Sequence, residues 1–152
     1  MIENKCRARK KLNGDWIDGY HVKDGRHFIV QSFRAIVRGT TELVDVHEVY
    51  EDSIRRFTGK KDKKGIDIIE GDVISQFDYI KYVVRYGDYA GKVGLGYYYG
   101  LGFYLERVGD PLHRVPFSCI SCDQEEYEVI GNVFDNPDLL KMEDANEEKD
   151  SN

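Results

Sequence analysis

The feature that most limits the fold of this 152-residue chain is glycine placed behind a short polar residue, recurring between brief apolar runs. "KKLNGDWI" carries Asn13-Gly14, and "HVKDGRHFIV" carries Asp24-Gly25. A type I′ hairpin turn needs positive φ at both central residues, and these dipeptides supply it with least strain. The pattern predicts strands over Lys5–Arg9, Asp15–Val22, His27–Val37 and Leu43–Tyr50. In "ELVDVHEVYED", Val44 and Val46 alternate with acids and His47, the period of a half-buried strand. Strand follows strand again from Asp72 on: "DVISQF", "IKYVVRYG", "KVGLGYYYGLGFYLERVG", "HRVPFSCIS" and "EYEVIGNVF". With 15 Gly, 3 Pro and 11 Tyr, the composition suits many tight turns and half-buried strand faces better than a helical bundle.

No run of 18 apolar residues is present, so no membrane span is expected. "MIENKCRARKK" has charge but no apolar core, so it does not read as a secretory signal. Three Cys are too few for a disulfide scaffold. The expectation is a cytoplasmic protein with reduced thiols. Charge is uneven along the chain. Residues 1–64 hold 15 Lys/Arg against 10 Asp/Glu, and residues 65–152 hold 7 against 18. Such a chain can self-associate or offer a basic face to an acidic partner, although solvated surface charge explains both halves equally well.

"FTGKKDKKGIDIIEGDVI", from Phe57 to Ile74, poses the main functional question. Lys60, Lys61, Lys63 and Lys64 are a candidate nucleic-acid contact. They lack the interleaved aromatics of a stacking groove and a helix for a major groove. Gly59 and Gly65 bracket them, and Asp-Lys-Lys-Gly between apolar flanks is turn chemistry. Gly71 stands where the chain must bend, and Asp72 is placed to accept from nearby backbone N–H groups. Glu70 and Asp72 are two apart, but the glycine between them favours a turn over a catalytic or metal-binding pair.

Other constellations are weaker. Cys119 and Cys122 form a C-x-x-C that, with Cys6 and His113, has the donors of a Cys₃His zinc site. No second pair supports it, and small core residues on a strand explain both cysteines, so no metal is expected. His21 and His27 are placed to face each other across the Asp24-Gly25 hairpin as an exposed cross-strand pair. "GLGYYYGLG" has no following lysine or helix and reads as a curved strand or hairpin, with glycine at the bend. "DNPDLLK" offers Asn136 as a helix N-cap and Pro137 at the first helical position.

Two stretches together resemble the YopX family, proteins of phages and prophages in low-GC Gram-positive bacteria. The first matching set is Thr58, Gly59, Lys61, Asp62, Gly65, Glu70, Gly71, Asp72, Val73 and Ile74. The second is Val129, Ile130, Gly131, Asn132, Asn136, Pro137 and Leu139, in "YEVIGNVFDNPDLL". "KCRAR" is similar to the family's opening, with Arg9 where an aromatic residue is usual. The resemblance implies a β-rich protein whose C-terminal part is a small SH3-like barrel. It implies no catalytic residue and no cofactor.

The sequence therefore reads as a mainly β chain. N-terminal hairpins fill residues 1–57, an SH3-like barrel with a short C-terminal helix fills 58–141, and a disordered acidic tail fills 142–152. The expected function is that of a non-enzymatic phage or prophage accessory protein that binds another macromolecule or itself. The alternative is a nucleic-acid-binding module using the basic N-terminal strand and the lysine-rich turn.

Overall fold

Short apolar runs between glycine turns become eleven strands in the computed structural model, which describes residues 5–33, 39, 43–93, 95–117 and 126–141. Cys119, Cys122 and the acidic tail lie outside the described residues. The chain divides between Phe57 and Thr58 into two compact units. No helix among the described residues is long and apolar enough to cross a membrane.

The first unit holds β1 (Lys5–Arg9), β2 (Trp16–Asp24), β3 (Arg26–Phe33) and β4 (Leu43–Glu48), with a 3₁₀ turn at Glu51–Ser53. The order is β4-β3-β2-β1, all antiparallel, and the start of β5 (Arg55–Lys61) pairs with β1. Its core is small: Cys6, Ala8, Ile17, Ile29 and Val49, backed by Ile54. Alternation places Cys6 and Ala8 on one face of β1 while Arg7 on the other grips Asp18 at 2.7 and 3.1 Å.

The turns differ from expectation. Among the described residues only Phe77 and Asp78 are non-glycine positions with positive φ, so neither Asn13 nor Asp24 takes the first place of a type I′ turn. Gly14 and Gly25 alone supply it, at 76° and 66°. Asn13 instead accepts from the Asp15 N–H at 3.0 Å in the longer connection from Arg9 to Trp16, whereas β2 and β3 pair as far as Asp24 with Arg26 and leave Gly25 alone between them. Polar side chains that bond their own backbone make the longer turn as comfortable as the short one. In β4 the alternation of residue types does not become an alternation of burial, since Asp45 is exposed as well. Val44 and Val46 are exposed, because β4 is an edge strand and the core is filled from Ile29 and Val49.

The second unit holds the end of β5, β6 (Asp67–Ile69), β7 (Asp72–Gln76), β8 (Ile80–Val93), β9 (Gly96–Arg107), β10 (Asp110–Pro116) and β11 (Tyr127–Asn132). Five strands form one antiparallel sheet in the order β10-β9-β8-β7-β11. β7 is an inner strand, buried over four of its five residues. Ile68, Ile74, Tyr82, Val84, Leu105 and Phe117 form the core. The expected barrel is not closed among the described residues. β10 and β11 end the order on opposite sides, and β8 and β9 continue past their neighbours as a two-stranded ribbon. The expected C-terminal helix is one 3₁₀ turn, Pro137–Leu140. Asn136 does not cap it, because its side-chain oxygen accepts from the Asn132 N–H at 3.2 Å instead.

His21 and His27 do face each other, half-buried and not exposed. Nε2 of His21 lies 2.8 Å from Nδ1 of His27, and Nε2 of His27 lies 3.4 Å from the Glu51 carboxylate. Burial first, then His27, Arg56 and Lys23, hold the His21 imidazole below its ordinary pKa of 6.5. The unfolded chain therefore takes up a proton before the folded one does, and His21 costs stability as pH falls below about 6.5. Trp16, the single tryptophan, sits in β2 and reports this unit. Its urea midpoint is expected to fall from pH 7.5 to pH 5.5, and His21→Asn is expected to flatten that slope; an unchanged slope in the variant would reject the assignment.

Candidate functional site

The two family-like stretches, more than fifty residues apart in the chain, meet on one edge of the second sheet. Asp62 is the meeting point. It is 2% exposed, and its carboxylate accepts three backbone N–H groups at 2.9 Å each: Lys64, Ile66 and Val129. The first two close the loop between β5 and β6. The third belongs to β11, the outer strand of the sheet. Beside it, the Lys63 N–H donates to the Tyr127 carbonyl at 3.0 Å. An edge strand leaves a row of backbone groups unpaired, and those groups template unwanted pairing unless something covers them. Here the loop of the first stretch covers the strand of the second.

The neighbouring positions serve the same end. The Thr58 hydroxyl donates to the Ile68 carbonyl at 2.6 Å and accepts from the Lys60 N–H at 3.2 Å. Gly59 and Gly65 have φ of 82° and 80°, where a β-carbon is strained. Gly71, half a turn before β7 and beside half-buried Glu70, has φ of 87°. Its N–H donates to the Val84 carbonyl at 2.7 Å, and its carbonyl accepts from Val133 at 2.9 Å, so it joins β8 to the segment after β11. Asp72 is buried and accepts from the Ile69 N–H at 2.8 Å, as its place after the glycine predicts.

The closing stretch is built around Asn132. Its side-chain oxygen accepts from Phe134 and Asp135 at 3.0 and 2.8 Å, folding the chain back after β11. Asn136 and Leu139 then sit over Gly131, where a β-carbon would lie 2.6 Å from each. Pro137 opens the exposed 3₁₀ turn. Pairing with β7 shifts between Val129 and Gly131, so Ile130 is an extra, outward residue.

The four lysines are engaged by their own neighbours. Lys60 lies over the Phe117 ring at 5.0 Å, Lys61 is 3.7 Å from Asp67, and Lys63 is 3.2 Å from Glu128. Lys64 also binds Glu128. Hydrogen bonding to Glu128 raises the Lys64 pKa, and the bonds from Lys64 and Lys63 lower that of Glu128. Glu128 lies on β11, a partner that the local spacing of Lys60–Lys64 does not reveal.

A groove of about 290 Å³ lies elsewhere, lined by Asp78, Tyr79, Ile80, Lys81, Arg107, Val108 and Lys141. Its lining among the described residues includes no histidine, cysteine or serine. The sequence reading also missed the outward row of the ribbon. Tyr97, Tyr99 and Leu101 are exposed, and their period of two within "GYYYGLG" was the available signal.

A family model described as YopX protein matches residues 5–141. No curated protein matches the chain.

The geometry separates aspartate from lysine. Asp62→Asn turns an amide N–H toward a backbone N–H and is expected to destabilise the second unit by about 2–4 kcal/mol. Changing Lys60, Lys61, Lys63 and Lys64 together to Ala is expected to cost less, since solvent screens the ion pairs they make. Thermal unfolding followed by circular dichroism compares the two; a larger loss in the lysine variant would reverse the roles.

Proposed function

The chain belongs to the YopX family, and we propose that it is a non-enzymatic protein-binding module that works through the outward face of the β8–β9 ribbon. One observation carries the reading. Tyr97, Tyr99 and Leu101 stand in a row on β9, 65%, 78% and 72% exposed, along a stretch where β9 pairs with β8 alone among the described residues. Isolated apolar residues on a surface are ordinary, but a contiguous aromatic row marks an interaction site. Tyrosine supplies large contact area and a hydroxyl that stays satisfied when wet or buried.

The motif residues support the same reading by being occupied. Asp72, one of the two acids of the Glu70–Asp72 pair that a catalytic proposal would use, accepts a backbone N–H, and Asp62 accepts three. The lysines that a nucleic-acid proposal would use are matched to Glu128, Asp67 and Phe117. The rest of the proposal is an accessory protein that a phage or prophage supplies to the cytoplasm of a bacterial host. It rests on the family resemblance and the sparse cysteines. We further infer that the second unit is an SH3-like meander in open form. Its support is the order β10-β9-β8-β7-β11, in which the last strand returns beside the first after a four-strand meander.

A photo-crosslinking residue placed at Tyr99, in host cells making the protein, tests this. It is expected to capture protein in clear excess over the same residue at Leu12, which is 87% exposed in the first unit. Equal capture at the two positions would overturn the reading. Labelled oligonucleotides are expected to bind no tighter than the non-specific range of about 10⁻⁴–10⁻⁶ M at physiological salt, and nanomolar binding would overturn it as well.

A further inference from the structure

The ribbon has two faces, and among the described residues one of them is closed by its own unit. Along Tyr86–Val93 and Gly96–Phe103, β8 and β9 pair with no third strand among the described residues. At Gly91 a β-carbon would lie 2.3 Å from the Arg114 carbonyl oxygen, so β10 backbone covers the ribbon there. On the same face Tyr89 stacks on Tyr104 with centroids 4.8 Å apart and lies across Gly100. Gly87 and Gly102 are paired, with φ of 144° and 140°, values at which a β-carbon is strained in both strands at once.

Residues directly opposite in antiparallel strands share a face. The open face therefore carries the pairs Asp88 with Leu101, Ala90 with Tyr99, and Lys92 with Tyr97. Leu95, near the tip, is fully exposed. At roughly 150–250 Å² for an aromatic side chain, the exposed parts of Tyr97 and Tyr99 alone come to on the order of 300 Å². Leu101 beside them and Leu95 near the tip extend the patch within the about 300–600 Å² of the largest patch on a typical monomer.

Charge says what covers it. Asp88 and Lys92 flank Ala90 on this face, four residues apart and opposite in sign. Neither has an ion-pair partner among the described residues. A two-fold axis through Ala90 sets Asp88 of each copy opposite Lys92 of the other, because an isologous interface makes every contact twice. The small side chain at the axis lets the flanking Tyr99 rings close over it. Resting on the reading that this face binds protein, we propose that its partner is a second copy of this chain. The two copies dock face to face about a two-fold axis. Asp88 and Lys92 exchange ion pairs between them, and Tyr97, Tyr99 and Leu101 form the buried centre.

Sedimentation equilibrium over roughly 1–100 μM tests the proposal. The unaltered chain is expected to dimerise and Tyr99→Glu to be monomeric. Asp88→Lys and Lys92→Asp are each expected to weaken the dimer about tenfold or more, and the two together to restore it to within a few-fold. All three positions are exposed, and circular dichroism verifies that the variants fold. A wild-type monomer at the highest concentration, a Tyr99→Glu dimer, or a double variant as weak as the singles would each overturn the inference. Photo-crosslinking separates it from the functional reading. A monomer whose Tyr99 position captures only a different protein overturns the self-pairing and leaves the binding function standing. A monomer that captures nothing overturns both.

Discussion

One buried carboxylate holds the second unit's edge in place. Asp62 is nearly inaccessible, and a charge in that position is tolerated only because three backbone N–H groups surround it. Two of those groups shape the β5–β6 loop, and the third lies on β11. The loop exists in that form because the aspartate gathers it. β11 is shielded because the gathered loop lies along it. Remove the carboxylate and the cost is not one hydrogen bond but three unpaired donors and an uncovered strand edge. Gly71 does the equivalent work on the other side of β11, tying β8 to the chain that leaves the sheet.

Much of this was legible in the sequence, for physical reasons. Strand positions follow from alternation and glycine, so the β class and most segments are predictable one by one. Asp72 sits just after a positive-φ glycine, and a short carboxylate there has one obvious set of donors, the amides around it. The reach of Asp62 was not legible. Two of its donors are local, and the third is sixty-seven residues away, set by the sheet order and not by spacing. The same holds for Glu128, which is adjacent to the lysines only once β11 lies beside the loop. Val44 and Val46 show the converse error. Alternation reveals that one face differs from the other, but edge position and core filling decide whether either face is buried. Barrel closure was likewise undetermined, since a two-stranded extension such as the ribbon competes with it using the same residues.

The consequence for function is a division of labour within one unit. The stretches that carry the family resemblance are consumed by structure: turns, edge cover and a folded-back loop. The surface that is free to do something else is a row of aromatic side chains with little motif character. The residues that carry the family resemblance and the exposed row of the ribbon thus lie in different places.

Amide hydrogen exchange followed by nuclear magnetic resonance tests the central claim most directly. If the Asp62 carboxylate joins the two stretches, the amides of Lys64, Ile66 and Val129 open together. They should then show a common protection free energy, although two lie in a surface loop and one in a strand. Lys64 and Ile66 exchanging at near-unprotected rates while Val129 stays protected would contradict the account, because the loop would then be held by something other than that carboxylate.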